Sequence, residues 1–332
     1  MPWTCWARSW CASLEGMPET RRRSVTMAAY VLCAAALIAQ AEGAATVLTQ
    51  DIHMRDPWVM PYQGTYYLIG TTGDAWGMEG GGFAMFTSTD LREWTPQGQV
   101  LKMDEPPTWA AYQFWAPEVV ERGGRFYIFY SGNSDDTRRG TGVAVAETPL
   151  GPYRNLSDRP LTPLEWECLD GHLFTDVDGQ EYLIYVHEWV QCEIGEMWIQ
   201  RINDDYTALE GERHMLFRGR DSSWSDEVID GPMMVVRDGR YHLFWSSFDQ
   251  DTGDRSGAYC VGVATADSLL GPYEHSDEPI IRGDGGHNCV FEGFDGKLYT
   301  SFHAPNATPD ERVRIHELLY DAGEWRLGPT VE

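Results

Sequence analysis

From about residue 55 onward the chain is built of short apolar or alternating runs, each stopped by a Gly-rich or Asp-Gly turn. No stretch of useful length carries the 3.6-residue period of an amphipathic helix. One run recurs five times: "GTYYLIGTT" at Gly64, "GRFYIFYSG" at Gly124, "GQEYLIYVH" at Gly179, "GRYHLFWSS" at Gly239 and "GKLYTSFHA" at Gly296. The leading glycines are 60, 55, 60 and 57 residues apart. Each run follows another strand-like segment ("DPWVMPYQ", "APEVVERG", "LDGHLFTDVD", "IDGPMMVVRD", "GGHNCVFEGFD"), so each pair reads as a hairpin. A second hairpin follows most of them. Four antiparallel strands repeated five times predict an all-β, five-bladed β-propeller with four strands per blade. The segment "ATVLTQDIHM" is expected to add a strand that closes the ring with the last blade.

A blade cannot bury both faces alone, so residues 42–332 are expected to form one cooperative domain. Residues 1–41 are set apart. They contain "RRRSVT", the apolar "MAAYVLCAAALIA" and an Ala-x-Ala cleavage site at Ala39–Ala41, the pattern of a secretory signal. "MPWTCWARSWCASLEG" before it fits no signal, so Met17 or Met27 is a candidate start. The expectation is a secreted, extracellular or periplasmic protein with no membrane association after cleavage. Of seven cysteines, Cys168, Cys192, Cys260 and Cys289 remain. They form no CxxC pair and no disulfide framework, and read as small buried hydrophobes with room for one or two disulfides.

Composition narrows the partners. With 51 acidic against 25 basic residues and only two lysines, Lys102 and Lys297, the chain lacks the basic face that nucleic acid requires. Aromatics make up 13% of it, with 14 Trp and 16 Tyr, which suits a large core or an aromatic-lined sugar site.

In a propeller the starts of the innermost strands converge on one mouth of the central channel. Read in order, those starts offer Asp56, Glu118, Asp170, Asp230 and His287. Each alone is ordinary turn chemistry. Asp230, between Ile229 and a Gly-Pro pair, is the clearest example. Five polar residues at one phase would instead repel and desolvate one another. That is how one site comes to hold both an acid and a base.

The ordered set "RDPW", "FWAPEVVERGGRFYIFYS", "LDGHLFTDVDGQEYLIY", "DGPMMVVRDGRYHLFWSS" and "GGHNCVFEGFDGKLYTSFHA" resembles glycoside hydrolase family 43 over essentially the whole of residues 42–332. The resemblance implies an inverting hydrolase of α-L-arabinofuranosidic or β-D-xylosidic bonds in plant cell-wall polysaccharides or oligosaccharides. It implies Asp56 as general base, Asp170 as the carboxylate that tunes and orients the acid, and Asp230 as general acid. Asp230 departs from the family, which usually has glutamate before Gly-Pro. Glu227 is a substitute acid expected to lie in the preceding loop. Trp115 is implied as a sugar-stacking residue, with a core aromatic as the alternative. Glu118 is implied as a binder of sugar hydroxyls and Arg312 as a substrate contact. His287 is implied as a channel residue linked to water or to an optional structural Ca2+, and no cofactor is required. "DVDG" at Asp176–Gly179 mimics the start of a calcium loop but lacks the other ligands. Two rivals stay open: a non-catalytic carbohydrate-binding propeller, and a related glycosidase acting on another sugar such as galactose.

Overall fold

The computed structural model describes residues 45–72, 82–102, 109–250 and 255–331. The signal-like segment and almost all of the loop 73–82 lie outside the described residues. Thr46–Glu332 is one compact unit, and its strands form five antiparallel sheets. The innermost strands are Arg55–Tyr62, Tyr112–Arg122, Cys168–Thr175, Asp230–Arg237 and Gly286–Glu292. Their hairpin partners are Thr65–Thr71, Arg125–Ser134, Glu181–His187, Arg240–Phe248 and Leu298–Ala304. Four sheets have four strands, as the repeat predicts, and the first has five.

The fifth strand corrects one expectation. Val47–Leu48 pairs with Glu93–Trp94 on the outer edge of the first blade, not with the last blade. A backbone bond from the Val313 N–H to the Ile52 carbonyl is what ties this segment to the last blade.

The repeated glycines have a backbone reason. Gly64, Gly124, Gly179, Gly239 and Gly296 take φ of 81°, 82°, 86°, 76° and 78°, and a Cβ on any of them would meet nothing within 4 Å. Space is therefore not the constraint; a left-handed turn residue is.

Between the blades lie five apolar clusters, one per interface. Phe83 and Met85 of the first blade meet Ile128 and Tyr130 of the second. Val59 and Leu68 meet Phe291 and Ile315 across the closure of the ring. Burying a side chain such as Leu68, Phe83 or Phe244 contributes about 1.5–3 kcal/mol. Because every cluster needs two blades, none of this is gained by one blade alone. Cys168, Cys260 and Cys289 are buried, Cys192 is half-buried, and all four are free thiols.

Candidate active site

Each innermost strand carries a bulge at the same point. The ladder steps from Arg55/Thr71 to Trp58/Ile69, and likewise from Trp115, Leu169, Asp230 and Gly286 to Glu118, His172, Met233 and Cys289. The residue that opens the bulge is Asp56, Ala116, Asp170, Gly231 or His287, with φ of 51°, 45°, 55°, 54° and 51°. Non-glycine residues rarely adopt this region, and bulges there re-aim side chains.

This register corrects the single-phase reading of the five polar residues. Asp56, Asp170 and His287 are equivalent. Asp230 sits one residue earlier, level with Arg55, Trp115, Leu169 and Gly286. Glu118 sits two residues later, level with Trp58 and His172.

Four of the five bulge N–H groups donate to a side chain from the second strand of the preceding blade: Asp56 to His303 Nδ1 (3.2 Å), Ala116 to Thr71 Oγ1 (2.8 Å), Asp170 to Ser131 Oγ (2.8 Å) and His287 to Ser246 Oγ (2.8 Å). The third blade has Val186 at that place, which accepts nothing. The Gly231 N–H instead donates to Asp170 Oδ2 at 3.0 Å. A buried N–H must find an acceptor, and here it fixes the Asp170 carboxylate beside the backbone that carries Asp230. Gly231 has no alternative residue: a Cβ would lie 2.9 Å from the His287 ring.

The mouth opens into a cavity of about 360 Å³ lined by Arg55, Asp56, Trp115, Asp170, Asp230 and His287, with Gln113, Arg139, Glu188, Trp189, Val190, Phe248, Arg255, Tyr259 and Asn306 around them. Asp56 Oδ2 accepts from the Thr71 hydroxyl at 2.6 Å, and its Oδ1 lies 3.4 Å from His287 Nδ1. His287 Nδ1 is also 3.6 Å from Asp170 Oδ2, so the imidazole stands between two carboxylates. Burial pushes the Asp56 carboxyl up, but His287, His303, Arg55 and Thr71 outweigh it and hold it below the ordinary value. His303 joins as a cation only in acid, since burial and Arg55 press it down to about 4.

The opposite holds across the cavity. Burial, then repulsion from Asp170, raises Asp230 to about 8. Burial, then Asp56, raises Asp170 well above its ordinary value. Repulsion by Asp170 acts on Asp230, so the two carboxyls titrate together rather than singly. Tyr259 donates its hydroxyl to Asp230 Oδ2 at 3.2 Å. The hydrogen bond that Asp170 accepts from the Gly231 N–H favours charge on Asp170, leaving the proton with Asp230.

The other sequence candidates divide. Trp115 lines the cavity, and the Arg139 guanidinium lies 4.3 Å over its ring. Glu118 is buried with both oxygens on His172 Nδ1, at 3.1 and 3.0 Å. His172 Nε2 accepts the Met234 N–H, so Nδ1 carries the proton that Glu118 receives. Glu118 is thus a channel residue engaged by His172, not a member of the cavity wall. Arg312 also stands outside the wall, donating to the Pro309 and Glu311 carbonyls. Glu227 is engaged by Arg220 and Arg255. Its hydrogen bond to Arg220 leads the effects that hold it below the ordinary value, the wrong direction for an acid.

Arg55, Arg139, Arg255, Tyr259 and Asn306 were not singled out from sequence. Arg55, directly before Asp56, donates to the Asn306 carbonyl (2.7 Å) and Oδ1 (2.5 Å). Its adjacency to the aspartate was the one available signal. Around His287 the facing groups are the Asp56 and Asp170 carboxylates, and Glu118 is taken by His172. Asp176 and Asp178 of the "DVDG" turn accept N–H groups of Val177 and Gln180.

The profile of the Glycosyl hydrolases family 43 matches residues 47–326. A solved endo-arabinase from Bacteroides thetaiotaomicron is 30% identical, covering 84% of this chain and 99% of that one, with a TM-score of 0.77. A solved endo-1,4-beta-xylanase from the same organism is 29% identical, covering 87% and 98%, with a TM-score of 0.72. The Extracellular endo-alpha-(1->5)-L-arabinanase 2 of Bacillus subtilis is 23% identical over 83% of this chain and 70% of its own length.

Proposed function

The chain belongs to the family 43 glycosyl hydrolases, and from that premise we propose that it cleaves α-L-arabinofuranosidic or β-D-xylosidic bonds by inversion, with Asp56 as base and Asp230 as acid. The observation that carries this reading is one cavity holding two buried carboxyls displaced in opposite directions, Asp56 below its ordinary value and Asp230 up to about 8. Inverting hydrolysis needs this asymmetry. Asp56, ionised, takes a proton from the water that attacks the anomeric carbon. Asp230, protonated, delivers its proton to the departing glycosidic oxygen. Asp170 keeps the proton on Asp230 through its negative charge, and His287 keeps the two carboxylates Asp56 and Asp170 apart. Trp115, with Arg139 over one face, is the sugar platform.

Relatives named as arabinanases support arabinan as the first substrate, and a relative named as a xylanase supports xylan as the second. A signal-like N-terminus and an extracellular relative support export. The test is sugar release from arabinan, arabinoxylan, xylan and arabinogalactan, with the first-formed anomer followed by NMR. A β-anomer released first from α-linked arabinan is expected. A retained anomer overturns the base assignment, and binding without release favours a carbohydrate-binding propeller.

A further inference from the structure

The hairpin between Glu181–His187 and Glu196–Ile202 closes the cavity on one side. His187 and Glu196 are paired opposite each other in its ladder, and a one-turn helix, Trp189–Cys192, lies between them. Ligand atoms of His187, Cys192 and Glu196 all fall within 4.8 Å of one another.

The hydrogen bonds around His187 fix its tautomer. Gln191 Oε1 accepts the Glu167 N–H at 2.8 Å, and Gln191 Nε2 donates to the Glu165 carbonyl at 3.0 Å. Both partners are backbone groups of fixed polarity, so the amide has one orientation. His187 Nε2, 2.9 Å from Gln191 Oε1, must therefore be the N–H. Nδ1 of the neutral ring then presents a lone pair to Glu196 Oε2 at 3.1 Å. A ring lone pair and a carboxylate oxygen turned toward each other at that distance make a place for a positive centre between them.

Cys192 adds a third donor beside that place. Its sulfur stands beside the pair, 3.1–3.4 Å from the carbonyls of His187, Glu188 and Ile194, with one hydrogen for three acceptors. We propose that His187 Nδ1, Cys192 Sγ and Glu196 Oε2 bind one zinc-like divalent cation that clamps this hairpin at the rim of the cavity. A mixed N, S and O donor set suits Zn2+, whereas Ca2+ and Mg2+ require oxygen. On binding, the thiol proton leaves to solvent and the thiolate takes its place on the metal. The fourth tetrahedral position goes to water. Zinc–ligand distances of about 2.0–2.3 Å set the donors roughly 3–4 Å apart. The nitrogen and oxygen are already there at 3.1 Å, and the sulfur lies within 4.8 Å of both.

The surroundings are those of a built ligand set. A ligating histidine normally gives its other N–H to an acceptor, which Gln191 provides. Trp166 stacks on the His187 ring at 4.3 Å and 9°. Trp198 Nε1 and Arg218 Nη2 each donate to Glu196 at 3.0 Å. The consequence reaches the cavity because Glu188, Trp189 and Val190 on the same loop line it, and Glu188 pairs with the Arg139 that covers Trp115.

The full chain, stripped with chelator, should take up one equivalent of Zn2+ in calorimetry, undisturbed by excess Ca2+ or Mg2+. Co2+ in its place should give the thiolate-to-cobalt charge-transfer band. Cys192→Ser should lose that band, and both Cys192→Ser and Glu196→Gln should bind Zn2+ more weakly by more than the roughly 10- to 100-fold that outer partners are worth. Circular dichroism of each variant checks that it is folded. No stoichiometric uptake of Zn2+ or Co2+ by the wild type overturns the proposal, as does uptake unchanged by Cys192→Ser. These readouts need no substrate, so they stand or fall apart from the glycosidase reading.

Discussion

Replacing Asp230 with asparagine keeps the side-chain shape and an acceptor for Tyr259 while removing the ionisation. An aspartate whose pKa rises from 3.8 to about 8 on folding takes up a proton between those values, so stability falls as pH rises through that window. At pH 7 about three pH units of the window have been crossed, about 4 kcal/mol at 1.36 kcal/mol per unit. Asp230 titrates together with Asp170, so this figure is the upper bound on what Asp230 contributes alone. Asp230→Asn should therefore match the wild type near pH 4 and be the more stable protein near pH 7. With an unfolding entropy of about 2.1 cal/mol/K per residue, that bounds the gap at about 7 °C in Tm. Calorimetric melting of both proteins at the two pH values measures it. The same variant should lose about 10²-fold or more on a natural glycoside and far less on a dinitrophenyl glycoside, whose leaving group departs without a proton. A Tm gap that does not change with pH refutes the electrostatic reasoning. Equal losses on both substrates make Asp230 a positioning residue.

Asp56→Asn should lower kcat by about 10²-fold or more with sugar affinity kept, and near-normal turnover removes Asp56 from the mechanism. Because activity needs Asp56 ionised and Asp230 protonated, kcat/KM should be bell-shaped, with an acid limb below the ordinary carboxylate value and an alkaline limb near about 8. Asp170→Asn should move the alkaline limb to lower pH by removing the charge that holds the proton on Asp230; an unmoved limb refutes that role. Trp115→Ala should raise KM more than it lowers kcat, and a collapsed Tm with unchanged KM would make Trp115 a packing residue instead. Gly231→Ala forces a Cβ to 2.9 Å from His287 at a φ of 54°. It should cost more activity than Gly239→Ala, where the Cβ meets nothing; equal effects would show that the His287 contact yields freely.

Blade number, hairpin order and the turn glycines were legible because each depends on local chemistry: a period of two, a left-handed turn residue, an aromatic strand. Asp56, Asp170 and Asp230 were legible because each follows or opens a strand with a Pro or Gly beside it. Their relative phase was not. A bulge adds one residue to the ladder, and aligning Pro57, Pro117 and Pro232 rather than the acids would have exposed it. Arg139, Arg255 and Tyr259 escaped because they come from third strands and a loop, and no spacing along the chain ties them to the innermost strands. Val186 shows the limit most plainly. In sequence it is one more apolar residue in a strand, and its consequence exists only across the gap to the next blade. There its missing acceptor sends the Gly231 N–H to Asp170 and sets the carboxylate that keeps Asp230 protonated. Local periodicity fixes which strands form, whereas a pKa depends on what surrounds a carboxyl in space, and only the closed ring brings residues some sixty positions apart into that surrounding.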